Sequence, residues 1–245
     1  MKSEEYDIMF RVEDRHWWYL GLRGMIDRVR RCHIAPGDLR VLDAGCGTGA
    51  NLVATGQWAR VVGVDLSPRA VAFCRKRDLD GTAVGSVTHL PFASGSFDIV
   101  LSMDVIQHQA VSNKEIPIRE MARVLRPGGL LLINVPAYQC LHSSHDVAVH
   151  QDRRFTRPEL LAMLRRNGLD PVEATYWNTA LFPIAALVRL WRKKHPPSGS
   201  DLLDMPGPLA SAVLTAILAI ERRVIRLFPL PFGLSVFVVA RRVPA

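Results

Sequence analysis

Val41-Leu42-Asp43-Ala44-Gly45-Cys46-Gly47-Thr48-Gly49-Ala50 is the stretch that decides the fold of this 245-residue chain. Its first half is a short apolar run, as expected of a buried strand. Glycines at alternate positions then allow a sharp turn and a close backbone approach to a ligand. A helix opening near Ala50 would aim its free N–H groups at the same point. The run from Gly45 to Ala50 satisfies the G-x-G-x-x-A dinucleotide pattern. A tight strand-to-helix turn with no ligand would use the same glycines, so this stretch alone leaves both readings open.

Working outward, Arg60 to Asp65 reads as a second apolar strand. It ends in a carboxylate about twenty residues after Gly45, where an acid can accept both hydroxyl protons of a ribose. Ser67-Pro68 reads as an N-cap followed by proline in the first turn, opening a helix through Arg77. Thr82 to Val84 and Phe97 to Ser102 are expected as strands three and four. A helix from about Lys114 to Leu125 is stopped by Arg126-Pro127-Gly128-Gly129, and Leu130 to Val135 forms strand five. Strict alternation of strand and helix implies βαβ units and a parallel sheet. Residues 136–156 are a polar, histidine-rich loop, and Thr156-Arg157-Pro158-Glu159 resembles a capping box opening a helix that ends at Asn167-Gly168. Gly233 to Arg241 reads as a final buried strand. Trp18, Leu22, Met25, Ile26 and Val29 suit an amphipathic helix within residues 1–35.

Together these residues resemble the class I S-adenosylmethionine (SAM)-dependent methyltransferases, in particular the group related to ubiquinone-biosynthesis methyltransferases. Asp43, Gly45, Gly47 and Gly49 match the first motif of that family, and Asp65 its second. Leu90-Pro91-Phe92 with Phe97-Asp98, and Arg126 to Gly129, match two later ones. The resemblance spans residues 40–135. It implies an α/β, doubly wound, seven-stranded and mostly parallel Rossmann-like sheet, with an N-terminal helical lid and a helical insertion before the last strand. The expected divisions are a lid over 1–35, a SAM-binding core over 36–179, an apolar and basic insertion over 180–230, and the closing strand over 231–245.

The resemblance also implies a cofactor, SAM, and roles for single residues. Asp43, Gly45, Cys46, Gly47 and Gly49 would face its amino-acid part, and Asp65 its ribose. Leu66 would pack on the adenine, Ser86 and Val87 would border the adenine edge, and Met103 would line the same pocket. Many relatives carry an acid where Ser86 stands, so one adenine contact is weaker here. A noncatalytic SAM-binding or membrane-associated partner protein is the alternative reading. An NAD-dependent oxidoreductase is supported only by the G-x-G-x-x-A match, and Asp43 and Arg126 to Gly129 argue against it.

Methyl transfer asks for in-line alignment and exclusion of water, because the sulfonium is already a good leaving group. A general base helps when the acceptor is a hydroxyl or an ammonium. His150, His145 and His108 follow expected strand ends, where α/β sheets bind ligands, and are the candidate bases. Trp17, Trp18, Tyr19, Tyr138 and Arg154 are the candidate substrate contacts, the aromatics by stacking. The irregular spacing of the histidines argues against a metal site, so none is expected.

Lys and Arg number 31 against 23 Asp and Glu, a net charge of +8. That balance favours an anionic surface or substrate, or serves solubility alone. The sequence from Ser102 to Val105 lacks the Asn-Pro-Pro-Tyr-like tetrapeptide of nucleic-acid methyltransferases, so no nucleic-acid partner is expected. The four cysteines show neither metal-ligand spacing nor a disulfide framework, and the first residues show no apolar leader, which points to the cytoplasm. Leu209 to Ile220 is apolar but too short to span a bilayer. With its arginine-rich continuation it suggests peripheral membrane contact, a homodimer face or a cover for an amphiphilic substrate.

Overall fold

The computed structural model describes residues 3–143, 146–147, 149–192 and 207–244. In chain order the elements are α1 (Ser3–Val12), α2 (Trp17–His33), β1 (Arg40–Ala44), α3 (Ala50–Gly56), β2 (Arg60–Asp65), α4 (Pro68–Arg75), β3 (Thr82–Val84), β4 (Phe97–Met103), α5 (Glu115–Val124), β5 (Leu125–Pro136), α6 (Arg157–Arg166), β6 (Leu169–Trp177), α7 (Phe182–Arg192), α8 (Pro208–Ile225) and β7 (Ser235–Arg242). The strands form one seven-stranded sheet in the order β3-β2-β1-β4-β5-β7-β6. Strands β1 to β5 pair in parallel, and β7 runs antiparallel between β5 and β6. The reversal of strand order between β1 and β4 opens a crevice at their carboxyl ends, the usual ligand position in such sheets.

Both faces of the sheet are covered, which is why its strands read as unbroken apolar runs. Leu42, Val100, Leu131 and Val238 face α5 and α6 through Ile118, Met121, Leu160 and Leu164. Val41, Leu101, Leu132 and Val239 point the other way, against Leu22, Met25 and Val29 of α2. Leu218 and Ile225 of α8 join that second layer. Within the apolar and basic insertion, α8 lies beside α2, because the β7 and β6 end of the sheet, with Phe237 and Trp177, needs a cover on that face.

Local chemistry sets several boundaries. The N-terminal segment is two helices rather than one, separated before Trp17, where the Nδ1 of His16 accepts the Trp18 N–H at 3.2 Å. Ser67 caps α4 with Pro68 at its first turn, and Thr156 and Glu159 form the expected capping box of α6. Strand β5 begins earlier than the sequence suggests. Leu125 already pairs with Phe97, and Arg126 to Gly129 form an irregularity within the pairing rather than a turn outside it. Glu221 of α8 accepts backbone N–H bonds from Asn178, Thr179 (2.8 Å) and Ala180 (3.2 Å), tying the helix to the end of β6. None of the described helices is long and apolar enough to cross a membrane.

Candidate active site

The loop after β1 is shaped by glycines whose positive φ other residues adopt only at a cost. Gly45 has φ +95°, and a Cβ there would overlap Val105 Cγ2. Its N–H and that of Cys46 both donate to the Val64 carbonyl, at 2.7 and 3.0 Å, so the loop is fastened to β2. Gly47 has φ +54° and donates its N–H to Oδ2 of Asp65 at 2.9 Å. Oδ1 of Asp65 accepts from the Ser67 N–H at 2.9 Å and from the Tyr6 hydroxyl at 3.3 Å. Burial raises the Asp65 pKa, while the Ser67 and Gly47 N–H bonds work against that rise.

Asp43 is 0 % exposed, and neither carboxylate oxygen has a well-formed hydrogen bond. Burial, then the charges of Asp65 and Glu13, push its pKa up to about 7. The Asn51 side chain works against that rise, but a buried carboxylate without a well-formed hydrogen bond is expensive without a further partner. A ligand with a cationic group next to Asp43 and a diol next to Asp65 would satisfy both. The two carboxylates and the close-approach glycine loop therefore fit SAM, whose ammonium, sulfonium and ribose supply those groups.

The remaining expected cofactor residues differ in what they present. Cys46 turns its thiol toward Cys74, Sγ to Sγ 4.0 Å, and contributes backbone rather than side chain to the loop. Leu66 is 59 % exposed beside Asp65, open to a planar group. The Ser86 hydroxyl lies 2.7 Å from that of Thr88, and Val87 is buried next to it. Met103 is buried among the residues that pack against α2, facing the core.

Helix α1 lies over this loop. The Met9 Cε would stand 2.8 Å from a Cβ on Gly47. Phe10 stacks on Phe73 at 4.5 Å, and Asp7 pairs with Arg69 at 2.6 Å. Glu13 accepts from the Thr48 hydroxyl and pairs with Arg77 at 2.9 Å. Burial raises the Glu13 pKa, against the pull of Thr48 and Arg77. The segment from Glu13 to Tyr19 was expected to cover the pocket, whereas Tyr6 and Met9 were not legible individually, since nothing in their local sequence ties them to a loop so far along the chain.

On the β4 and β5 side, the loops after the two strands pair with each other. His108 bridges to Gln151, and the Gln109 N–H donates to the His150 carbonyl at 2.9 Å. The structure thus brings His108 and His150 together, while His145 lies outside the described residues. Burial lowers the His108 pKa to about 4, so its imidazole is neutral and a weak base at physiological pH, and among the described residues its Nδ1 has no well-formed hydrogen bond. The acceptor contact expected of Arg154 gives way to a structural one. Its Nε and Nη2 donate to Oδ1 of Asp146, at 3.0 and 2.7 Å, and Nη1 to the Ala137 carbonyl at 3.1 Å. A fully buried Asp146 needs that guanidinium, which leaves it little freedom to reach a substrate. Tyr138 stacks on Tyr176 at 5.2 Å. Trp17 and Trp18 pack partly against the α2 layer, Trp18 with its ring 6.0 Å from Trp177. Tyr19 sits edge-on to Trp18 at 5.0 Å. Among the described residues no group of three or more His, Cys, Asp or Glu side chains is placed to hold a metal ion.

A sheet in this order with one reversed strand, a glycine loop after β1 and an acid closing β2 defines the Rossmann-like methyltransferase fold. Residues 42–133 match the family model described as a methyltransferase domain. Human "Probable tRNA methyltransferase 9B" is 39% identical over 132 residues, covering 54% of this chain and 26% of its own length. The malonyl-[acyl-carrier protein] O-methyltransferase of Erwinia pyrifoliae is 39% identical over 107 residues, covering 42% of this chain and 39% of its own. The matched region thus spans well under half of these curated relatives. Among solved structures, a chain in the complex with the Haloferax volcanii Trm112 methyltransferase activator superposes with a TM-score of 0.64 at 22% identity, over 99% of this chain and 95% of that one. That likeness concerns the fold.

Proposed function

We propose that this protein transfers the methyl group of SAM to an oxygen, nitrogen or carbon atom of a small or amphiphilic metabolite. The observation that carries the reading is Asp43, a fully buried carboxylate without a well-formed hydrogen bond, set beside the glycine loop and one strand from Asp65. In this reading SAM supplies an activated methyl group on a sulfonium. Asp43 and the Gly45–Gly49 loop hold its amino-acid end, Asp65 its ribose, and Leu66, Ser86 and Val87 border the adenine. The protein's own work is to align the acceptor and exclude water. Residues 1–35 act as the cover, 36–179 with 231–245 as the cofactor-binding unit, and 180–230 as the acceptor-side addition. Trp17, Trp18, Tyr19 and Tyr138 are the aromatic surfaces offered to an acceptor, with His150 at its polar edge.

Calorimetry with S-adenosylhomocysteine tests the cofactor. Asp65→Ala removes two charge-assisted hydrogen bonds, each worth about 1.5–3 kcal/mol gross, and is expected to weaken binding by about 10²-fold or more. Equal affinity of the parent and Asp65→Ala would sink the reading. Methyl transfer from labelled SAM to bulk tRNA, in preference to small acceptors, would move the substrate class to RNA.

The finer reading of α7 and α8 is a peripheral contact with an anionic membrane. Ile184 and Leu187 of α7 and Leu209, Val213 and Ile220 of α8 are exposed. The last three recur at helical spacing on one side of α8, with Arg223 following. An apolar stripe ending in arginine suits an anionic lipid surface, and the net charge of +8 disfavours pairing with a second copy. Flotation with anionic but not neutral vesicles is the expected result, and a stable dimer by light scattering would replace it.

A further inference from the structure

Resting on the methyltransferase reading, we infer that Asp104, at the carboxyl end of β4, takes the acceptor's proton during methyl transfer, and that the acceptor is an oxygen or nitrogen acid. The placement comes first. Asp104 follows Met103 directly, at the crevice between β1 and β4, and its neighbour Val105 packs onto Gly45 of the cofactor loop. Its φ of +57° is a left-handed conformation uncommon outside glycine, and such conformations cluster at functional sites. The Asp104 N–H donates to the Asn134 carbonyl at 3.0 Å, which anchors the residue to β5.

The carboxylate is oriented by donors. The Trp177 indole N–H, which can only donate, gives its proton to Oδ1 of Asn134 at 2.7 Å. That fixes the Asn134 amide, so its Nδ2 must donate to Oδ2 of Asp104, at 2.9 Å. Gln107 Nε2 lies 3.4 Å from Oδ1. Both oxygens thus face donors and keep lone pairs, the arrangement of a group set to accept a proton. The charged groups around it are Arg154 from the loop after β5, which attracts its charge, and the phenol of Tyr19 from α2, on which it acts. His108 shares its loop, and among the described residues Asp104 has no ion pair at salt-bridge distance. Burial outweighs these contacts and pushes the Asp104 pKa up to about 7, where a general base works best. His108, lowered to about 4, is the poorer base of the two.

The step balances within the reaction itself. A lone pair of the acceptor attacks the methyl carbon, the carbon–sulfur bond breaks toward sulfur, and the cationic sulfonium becomes a neutral thioether. The proton on the methylated atom passes to a carboxylate oxygen of Asp104 and later leaves to water. An acceptor with no proton to lose would have no use for this group.

Carboxyl-¹³C aspartate NMR on the full chain with S-adenosylhomocysteine, titrated from pH 4 to 9, tests the proposal without a known acceptor. Asp104→Asn assigns the resonance. Titration near pH 7 supports the proposal, and titration below pH 5 overturns it. In parallel, labelled methyl transfer to ethanolamine, catechol and a 1,4-naphthoquinol is followed. For any probe that is methylated, Asp104→Asn is expected to lose about 10²-fold or more in kcat and the neutral rise of its pH profile, with unchanged S-adenosylhomocysteine affinity. Asp104→Glu is expected to recover part of the rate. Full activity of Asp104→Asn would also overturn the assignment. Failure of the parent to bind S-adenosylhomocysteine would instead sink the methyltransferase reading.

Discussion

The hydroxyl of Tyr6 reaches Oδ1 of Asp65 at 3.3 Å, so the first helix of the chain is hydrogen-bonded to the acid that closes β2. That oxygen is also where one ribose hydroxyl would bind. With Met9 lying over Gly47, α1 covers the groove that a nucleoside would enter. A cofactor that uses both oxygens of Asp65 has to replace the Tyr6 hydroxyl.

Tyr6→Phe removes that competitor while keeping the ring packed against Ala70 and Phe73. A hydrogen bond to a carboxylate is worth about 1.5–3 kcal/mol, and this one at 3.3 Å lies at the low end, so S-adenosylhomocysteine is expected to bind about 10-fold more tightly. Isothermal calorimetry measures this directly. Weaker binding would mean that Tyr6 contacts the bound cofactor instead of yielding to it.

Asp43 and Asp104 are both raised to about 7 in the fold, against about 3.9 for a free aspartate. Between those values the folded chain keeps protons that the unfolded chain has released. Their contribution to stability is full below pH ~4 and is lost as pH rises through ~7. Asp146 has the opposite sign. Burial would raise it, but Arg154 and Arg189 together hold it below the ordinary range, so its contribution is lost only on acidification below about pH 4. Denaturant midpoints are therefore expected to fall between pH 5 and 8, and Asp43→Asn to flatten part of that slope. A parent midpoint that rises over this range would contradict the assignment.

A cationic ammonium placed beside Asp43 lowers its pKa and expels a proton. Near pH 6.5, binding of S-adenosylhomocysteine should release protons, so that the observed enthalpy changes with the ionisation enthalpy of the buffer. In Asp43→Asn the buffer dependence is expected to shrink. Identical enthalpies for the parent in phosphate and Tris would argue that Asp43 is already ionised.

The Asp146–Arg154 pair is almost fully enclosed, at 0% and 3% side-chain exposure. Removing one partner of such a pair leaves a buried charge and costs about 3–5 kcal/mol, whereas removing both costs much less. Arg154→Leu is expected to show the large loss in urea unfolding, and Asp146→Asn combined with Arg154→Leu to recover most of it. A loss below ~1 kcal/mol in the single variant would mean that the loop relaxes to solvate Asp146.

Glu221 holds three backbone N–H groups at the end of β6, and burial still outweighs them and raises its pKa. Glu221→Ala should destabilise the chain by about 1–3 kcal/mol, with Glu221→Gln between it and the parent. Thermal unfolding of the two variants checks the order, and equal midpoints would show that α8 is held by its apolar contacts alone.

The glycine loop after β1 and the acid closing β2 were written locally in the sequence. A strand followed by Gly45, Gly47 and Gly49 has one low-strain way to turn, and an apolar run ending in Asp65 delivers its acid to the same edge because parallel strands bring their carboxyl ends together. Ser67-Pro68 and Thr156 with Glu159 fixed helix starts for the same reason, since capping is a contact among near neighbours. Composition and patterning could not say what lies across the groove. Tyr6, Met9 and Glu13 reach the site only because α1 packs on α4, and α8 covers the β7 end only because that face needed apolar cover. Asp104 was not singled out in the sequence, because its orientation depends on Asn134 and Trp177, which lie far along the chain and meet it through the sheet. Arg154 resembled a substrate contact until tertiary structure put it against Asp146. Short-range backbone chemistry is legible from neighbouring residues, whereas burial and charge pairing are set by elements distant in sequence, and only the folded sheet decides which of them meet.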